Sequence, residues 1–100
     1  MNEIRFEWDE EKNEINQKKH GISFEDAATV FYDEEALVIA DEEHLDEEDR
    51  FIILGLSIDI RLMVVCHCYR ESDSVIRIIS ARKAEKTEAK QYFDRLNLGD

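Results

Sequence analysis

Arg61-Leu-Met-Val-Val-Cys-His-Cys-Tyr-Arg70, Glu71-Ser-Asp-Ser74 and Val75-Ile-Arg-Ile-Ile-Ser80 form the stretch on which the fold turns. Two apolar runs of strand length flank four polar residues, the pattern of an antiparallel hairpin. Upstream, Arg50–Ser57 repeats the pattern, and only Ile58–Ile60 separates it from Arg61. Ala36–Ala40 supplies a fourth run, so an antiparallel meander of four strands is predicted. Alternation along the longest run puts Leu62, Val64, Cys66 and Cys68 on one face and Arg61, Met63, Val65, His67 and Tyr69 on the other. The first set is wholly apolar and is expected to meet the helices. The second set is amphipathic, which predicts a face that is open or covered by a partner.

Further out, Ile4-Arg-Phe-Glu-Trp8 alternates as a half-buried strand does. Asp9 then caps a helix with Glu10 and Glu11 in its first turn, Lys18, Lys19 and His20 in its last, and Gly21 as its stop. The expected inner stripe of that helix is Lys12, Ile15, Asn16 and Lys19, with a single hydrophobe. Ser23 with Asp26 resembles a capping box, and the helix it opens carries Phe24, Ala27, Ala28 and Phe31 at helical spacing. A last helix over about 84–97 has Ala89, Tyr92, Phe93 and Leu96 on one side. The order β-α-α-β-β-β-β-α predicts an α+β fold, a mostly antiparallel sheet with helices packed on one face. One domain is expected across residues 1–100, because no Pro, repeat or low-complexity linker divides the chain. The acidic run Asp41–Asp49 is expected to be an exposed loop.

At 43% hydrophobic content the chain can build one modest core. No apolar run is long enough for a membrane span and no export signal opens the sequence, so a cytoplasmic location is expected. Cys66 and Cys68, two apart on one strand, would be strained as a disulfide and are expected to be reduced. The net charge of −12 opposes nucleic-acid binding in general, but it is unevenly placed: residues 1–50 carry −13 and residues 51–100 carry +1. A local basic site, and a basic protein partner, are both compatible with that split.

Chemistry-bearing residues cluster in the strands. Arg77 interrupts an apolar run and needs an acid partner, a phosphate or solvent. His67 on the neighbouring strand adds an acid–base group, so the two offer parts for metal-free RNA cleavage. A structural salt bridge for Arg77 and a passive interfacial histidine are the competing readings. Zinc-type ligand spacing, a G-x-S-x-G elbow and a glycine-rich phosphate loop are all missing from the sequence, and no metal or cofactor is expected.

Phe6-Glu-Trp-Asp-Glu-Glu-Lys12, Asn16, Lys19-His-Gly-Ile-Ser-Phe-Glu-Asp-Ala27, Val30-Phe31, Asp41, Arg50-Phe51, Gly55 and Ile76-Arg-Ile-Ile-Ser-Ala-Arg-Lys-Ala84, followed by Glu88 and Tyr92, resemble the signature of BrnT-type toxins. The resemblance implies a RelE-like fold and a ribonuclease that stops translation by metal-independent RNA cleavage. It also implies neutralisation by a BrnA-type antitoxin carrying a ribbon-helix-helix part, through which alone the toxin reaches DNA. A non-catalytic module that holds the antitoxin on its operator is the alternative. By motif position, Arg77 and Arg82 become phosphate and transition-state ligands, His67 an acid or base, and Lys12, Lys19, His20 and Arg50 substrate-binding neighbours. The chain departs from the family pattern in having Glu34 where a Pro is usual after Asp33, and Glu85 where a Thr often caps the last helix. The nuclease reading is expected to stand on Arg77 and Arg82 gathering in one electropositive pocket; arginines splayed apart, or each held by its own carboxylate, would leave only the partner-holding role.

Overall fold

Asp9 begins the first helix by accepting hydrogen bonds from the backbone N–H groups of Glu11 and Lys12, at 2.9 and 3.3 Å. Gly21 ends it in the left-handed region (φ 70°), its N–H donating to the Gln17 carbonyl at 2.8 Å. The computed structural model describes residues 4–41, 50–71 and 74–97. It contains β1 (Arg5–Glu7), α1 (Glu10–His20), α2 (Phe24–Thr29), a short 3-10 turn (Val30–Tyr32), β2 (Leu37–Ala40), β3 (Arg50–Leu56), β4 (Leu62–Arg70), β5 (Val75–Lys83) and α3 (Lys86–Asn97). The expected α+β class and element order hold. All but the first residue of the acidic run lies outside the described residues.

The sheet order is β1-β5-β4-β3-β2, antiparallel throughout the meander, with β1 joining β5 in parallel. A bulge at Cys66/His67 shifts the β4–β5 register, so that Cys66 faces Ser80 while His67 faces Ile78. Ile53, Met63, Val65, Ile76, Ile78 and Ala81 pack against Ile22 and against Phe24, Ala27 and Ala28 of α2. Burying a side chain such as Phe24 or Met63 fully stabilises the fold by about 1.5–3 kcal/mol. Leu54, Val64 and Tyr92 form a second, smaller cluster on the opposite face, beneath α3. The helices therefore do not all share one face: α1 and α2 cover one side and α3 covers part of the other. Gly55 lets β3 pass under the 3-10 turn, since a Cβ there would come within 2.9 Å of both Val30 and Ala36.

Two further expectations hold only in part. Leu62 and Val64 meet α3 as expected, but Met63 and Val65, placed on the open face, are fully buried under α1 and α2, and Cys66 is only half-buried. Alternation fixes which residues share a side, but both sides of β4 are apolar enough that it could not say which side the larger helical layer would take. Both cysteines are free thiols. In α1 the inner side is Asn13 and Asn16, both buried, whereas Ile15 is 55% exposed. Polar amides replace hydrophobes there because they bond to backbone, as set out below.

Candidate active site

Strand register lines up the side chains on the α3 side of the sheet in rows. Leu54, Val64 and Arg82 form one row, and Ile52, Cys66 and Ser80 the next. Beyond them, Arg50, Cys68, Arg77 and Glu7 form a third row. Helix α3 covers the first row and leaves the others less protected. There Arg50, Cys66, Ser80 and Arg82 meet Asp41, from the end of β2, and His20, from the last turn of α1. Together they line a cleft of about 330 Å³. Segments distant in sequence thus bring a guanidinium pair, an imidazole, a hydroxyl and a thiol to one place.

Carboxylates accompany these cations. Arg82 donates two hydrogen bonds to Glu88, at 2.9 and 2.8 Å, and the pairing holds the Glu88 carboxyl below its ordinary range. Glu88 also accepts from the Glu85 N–H at 2.8 Å, so half of a capping box survives although Glu85 stands at the cap position. The Cys66 thiol is pushed up to about 11 by burial, with the Asp41 charge adding to the effect and Arg50 opposing it. It remains a protonated thiol rather than a nucleophile. The Arg82 and Glu88 side chains are 40% and 26% exposed, so solvent screens their ion pair in part.

Of the residues expected from sequence, Arg82, Arg50 and His20 come together in this cleft. Arg77 lies on the same sheet face but two rows away from Arg82, and donates to Glu7 at 2.7 Å; Arg70 sits 3.6 Å from the same carboxylate. The two arginines therefore form no common pocket and each has its own acid partner, which corrects the expectation of an Arg77–Arg82 site: any nuclease site has to be built on Arg82 without Arg77. His67 departs most from expectation. It lies on the α1/α2 side, wholly buried, with its ring against Phe31, Phe51 and Tyr69, and burial lowers its pKa despite the Val65 carbonyl beside Nδ1. A neutral imidazole sealed in an aromatic cluster cannot serve the cleft as acid or base. Lys12 and Lys19 are exposed on α1 and line no part of it. Sequence reasoning gave no site role to Asp41, Cys66, Ser80 and Glu88. The alternation of Ser80 with Arg82 was the available signal for Ser80; the others depend on chain segments meeting in space.

Among the described residues, no group of three or more His, Cys, Asp or Glu side chains is arranged to hold a metal ion. No helix among them is long and apolar enough to cross a membrane.

The family model described as the ribonuclease toxin BrnT of type II toxin–antitoxin systems matches residues 8–88. Among solved structures, the crystal structure of the Brucella abortus ribonuclease toxin BrnT is similar. It has a TM-score of 0.65 and 23% sequence identity, over 84% of this chain and 100% of that one. At that identity the likeness speaks for the fold alone. No curated protein sequence matches the chain.

Proposed function

Since the chain belongs to the BrnT family of ribonuclease toxins of type II toxin–antitoxin systems, we propose that the cleft bounded by His20, Arg50 and Arg82 is where it cleaves RNA. The observation that carries this reading is the convergence of an imidazole and two guanidinium groups from α1, β3 and β5 on one accessible patch of sheet. Arg82 and Arg50 hold non-bridging phosphate oxygens and neutralise the charge of the phosphorane. His20 accepts the proton of the 2′-hydroxyl as that oxygen attacks phosphorus. The bond to the 5′ oxygen breaks, the leaving oxygen takes a proton from solvent, and a 2′,3′-cyclic phosphate remains. Side chains neutralise the charge and take up the 2′-hydroxyl proton, and solvent supplies the leaving-group proton, so the scheme needs no metal ion.

Membership of a type II system implies an antitoxin partner. We take it to be a BrnA-type protein with a ribbon-helix-helix part, which covers the cleft, carries the pair to DNA and keeps the toxin inactive in the cytoplasm. Its expected basic character suits the acidic surface of this chain.

A second reading has a specific observation in its favour. Arg77 and Arg82 are each held by a carboxylate, which fits a module that binds the antitoxin and cleaves nothing. Expression of the chain without antitoxin separates the two. Cleavage predicts growth arrest and RNA fragments that also form in vitro with a chelator present, both abolished at least a hundredfold by Arg82→Ala or His20→Ala in a folded protein. Arg77→Ala should leave more than a tenth of the activity. Absence of arrest and fragments in the parent chain, or full activity in Arg82→Ala, removes the nuclease reading and leaves the binding module.

A further inference from the structure

A second cleft adjoins the first, and His20 lines both. It measures about 410 Å³, large enough for a base with its ribose. The floor is apolar and includes Leu62 and Phe93, the latter 46% exposed at the start of the third turn of α3. Ile60 overhangs the opening at 79% exposure. Its backbone is in the left-handed region, at φ 63°, as the β3–β4 turn requires: its N–H donates to the Ser57 carbonyl and the Ser57 N–H to the Arg61 carbonyl, both at 2.9 Å.

The charge of this cleft is the second observation. In a molecule of net charge −12, no carboxylate among the described residues lines it, while Lys83, Arg61 and His20 do. Arg61 is committed to Asp26 at 2.6 Å and to Asp59 at 3.4 Å. Lys83 has no side-chain partner among the described residues; alternation along β5 turns it to the opposite sheet face from Arg82, and the two clefts meet at His20. An aromatic ring and a lysine lining one cleft that shares His20 with a phosphate site is the chemistry of single-stranded nucleic-acid recognition.

We propose that this second cleft is a nucleobase subsite: it takes the base of the nucleotide next to the scissile phosphate, stacked on Phe93, with Lys83 on the adjoining phosphate. The proposal rests on the cleavage reading above and adds to it the determinant of sequence preference. A basic protein segment is the other candidate occupant, and Lys83 on the rim disfavours it.

Binding of an uncleavable dinucleotide, 2′-deoxy at its 5′ nucleoside, tests the assignment against two counterparts that each lack one base. The parent chain should bind the intact probe about tenfold more tightly than one abasic counterpart, as stacking on an aromatic side chain gives. Phe93→Ala should abolish that preference and Phe93→Tyr should keep it, while Arg82→Ala should weaken all three probes alike. Phe93 is half exposed, so the alanine variant is expected to fold; Phe93→Leu and the parent chain's own base preference decide the matter if it does not. Equal binding of intact and abasic probes, or an unchanged preference in Phe93→Ala, overturns the subsite. So does a loss seen only in antitoxin affinity. RNA cleavage by the parent chain is scored separately, so a failed subsite with intact cleavage is distinguishable from a failed nuclease.

Discussion

His67 and Glu88 show how differently two ionisable side chains can be set by their surroundings. Nε2 of His67 is buried and has no hydrogen-bond partner among the described residues, and the ring is walled by Phe31, Phe51 and Tyr69. Desolvation disfavours its protonated form, so the folded-state pKa falls below the ordinary 6.5 of the unfolded chain. Above 6.5 both states hold a neutral ring and this residue makes stability independent of pH. Below it the unfolded chain binds a proton that the folded chain refuses, and stability drops until the pH reaches the depressed folded value. The loss should approach about 1.4 kcal/mol per pH unit within that window. Denaturant unfolding of the parent chain and His67→Phe at pH 7.5 and 5.5 should show a steeper loss in the parent, and parallel losses would contradict the assignment. Glu88 is the opposite case. Arg82 stabilises its charged form, so that contribution is present at neutral pH and disappears on acidification through a pKa below 4.5. Partial exposure keeps it small.

At the scale of elements, α1 does the work of a missing strand. β1 pairs with β5 only from Val75 to Arg77, which leaves the rest of that β5 edge without a strand neighbour. There Asn16 donates to the Ala81 carbonyl at 2.9 Å and accepts from the Ala81 N–H at 3.2 Å, a side-chain amide standing in for a peptide group. The same amide donates to the Ile22 carbonyl at 2.9 Å, and Asn13 accepts from the Phe24 N–H at 2.8 Å. A helix with almost no apolar face is held by these bonds. Removing a buried partner leaves backbone groups unsatisfied, at about 1–3 kcal/mol each. Asn16→Ala should therefore lower the unfolding free energy by about 2–4 kcal/mol. It should also reduce cleavage, because Ala81 precedes Arg82. A loss under 1 kcal/mol in chemical denaturation would show the clamp to be unimportant. Helix α3 is held by a comparable polar bond: Tyr92 donates to Asp33 at 2.6 Å. Burial alone would raise the Asp33 pKa, but bonds from Leu56, Tyr92 and Glu35 outweigh it and lower it.

Considered whole, the molecule is anionic, with a few cations gathered on one sheet face and around one cleft. Arg50, Arg70, Arg77 and Arg82 share that face by strand alternation, and carboxylates temper at least three of them. RNA binding should then depend only mildly on salt. If about two phosphates are neutralised on a single strand, the slope of log K against log salt should be roughly −1.4. Binding isotherms between 50 and 200 mM salt, concentrations over which salt effects are ordinarily resolved, would measure it. A slope steeper than about −3 would mean an extensive basic track that this cleft does not provide.

Strand alternation, caps and glycine positions made the element order legible from the sequence, because each rests on local backbone chemistry: Asp9 and Gly21 bound α1 as their side chains require. Motif order likewise marked Arg82, Arg50 and His20, and these do meet. The chain order could not say which side of β4 the helices take. Nor could it reveal that Arg77 would answer to Glu7 from a parallel edge strand, or that His67 would be sealed among aromatic rings. The physical reason is that local conformation follows from neighbouring residues, whereas solvent access and charge partners follow from which segments pack together. The sequence determined the strands, the helices and the residues available for chemistry. Only the tertiary structure decided which of those residues share a cleft, because burial and pairing belong to the packed molecule.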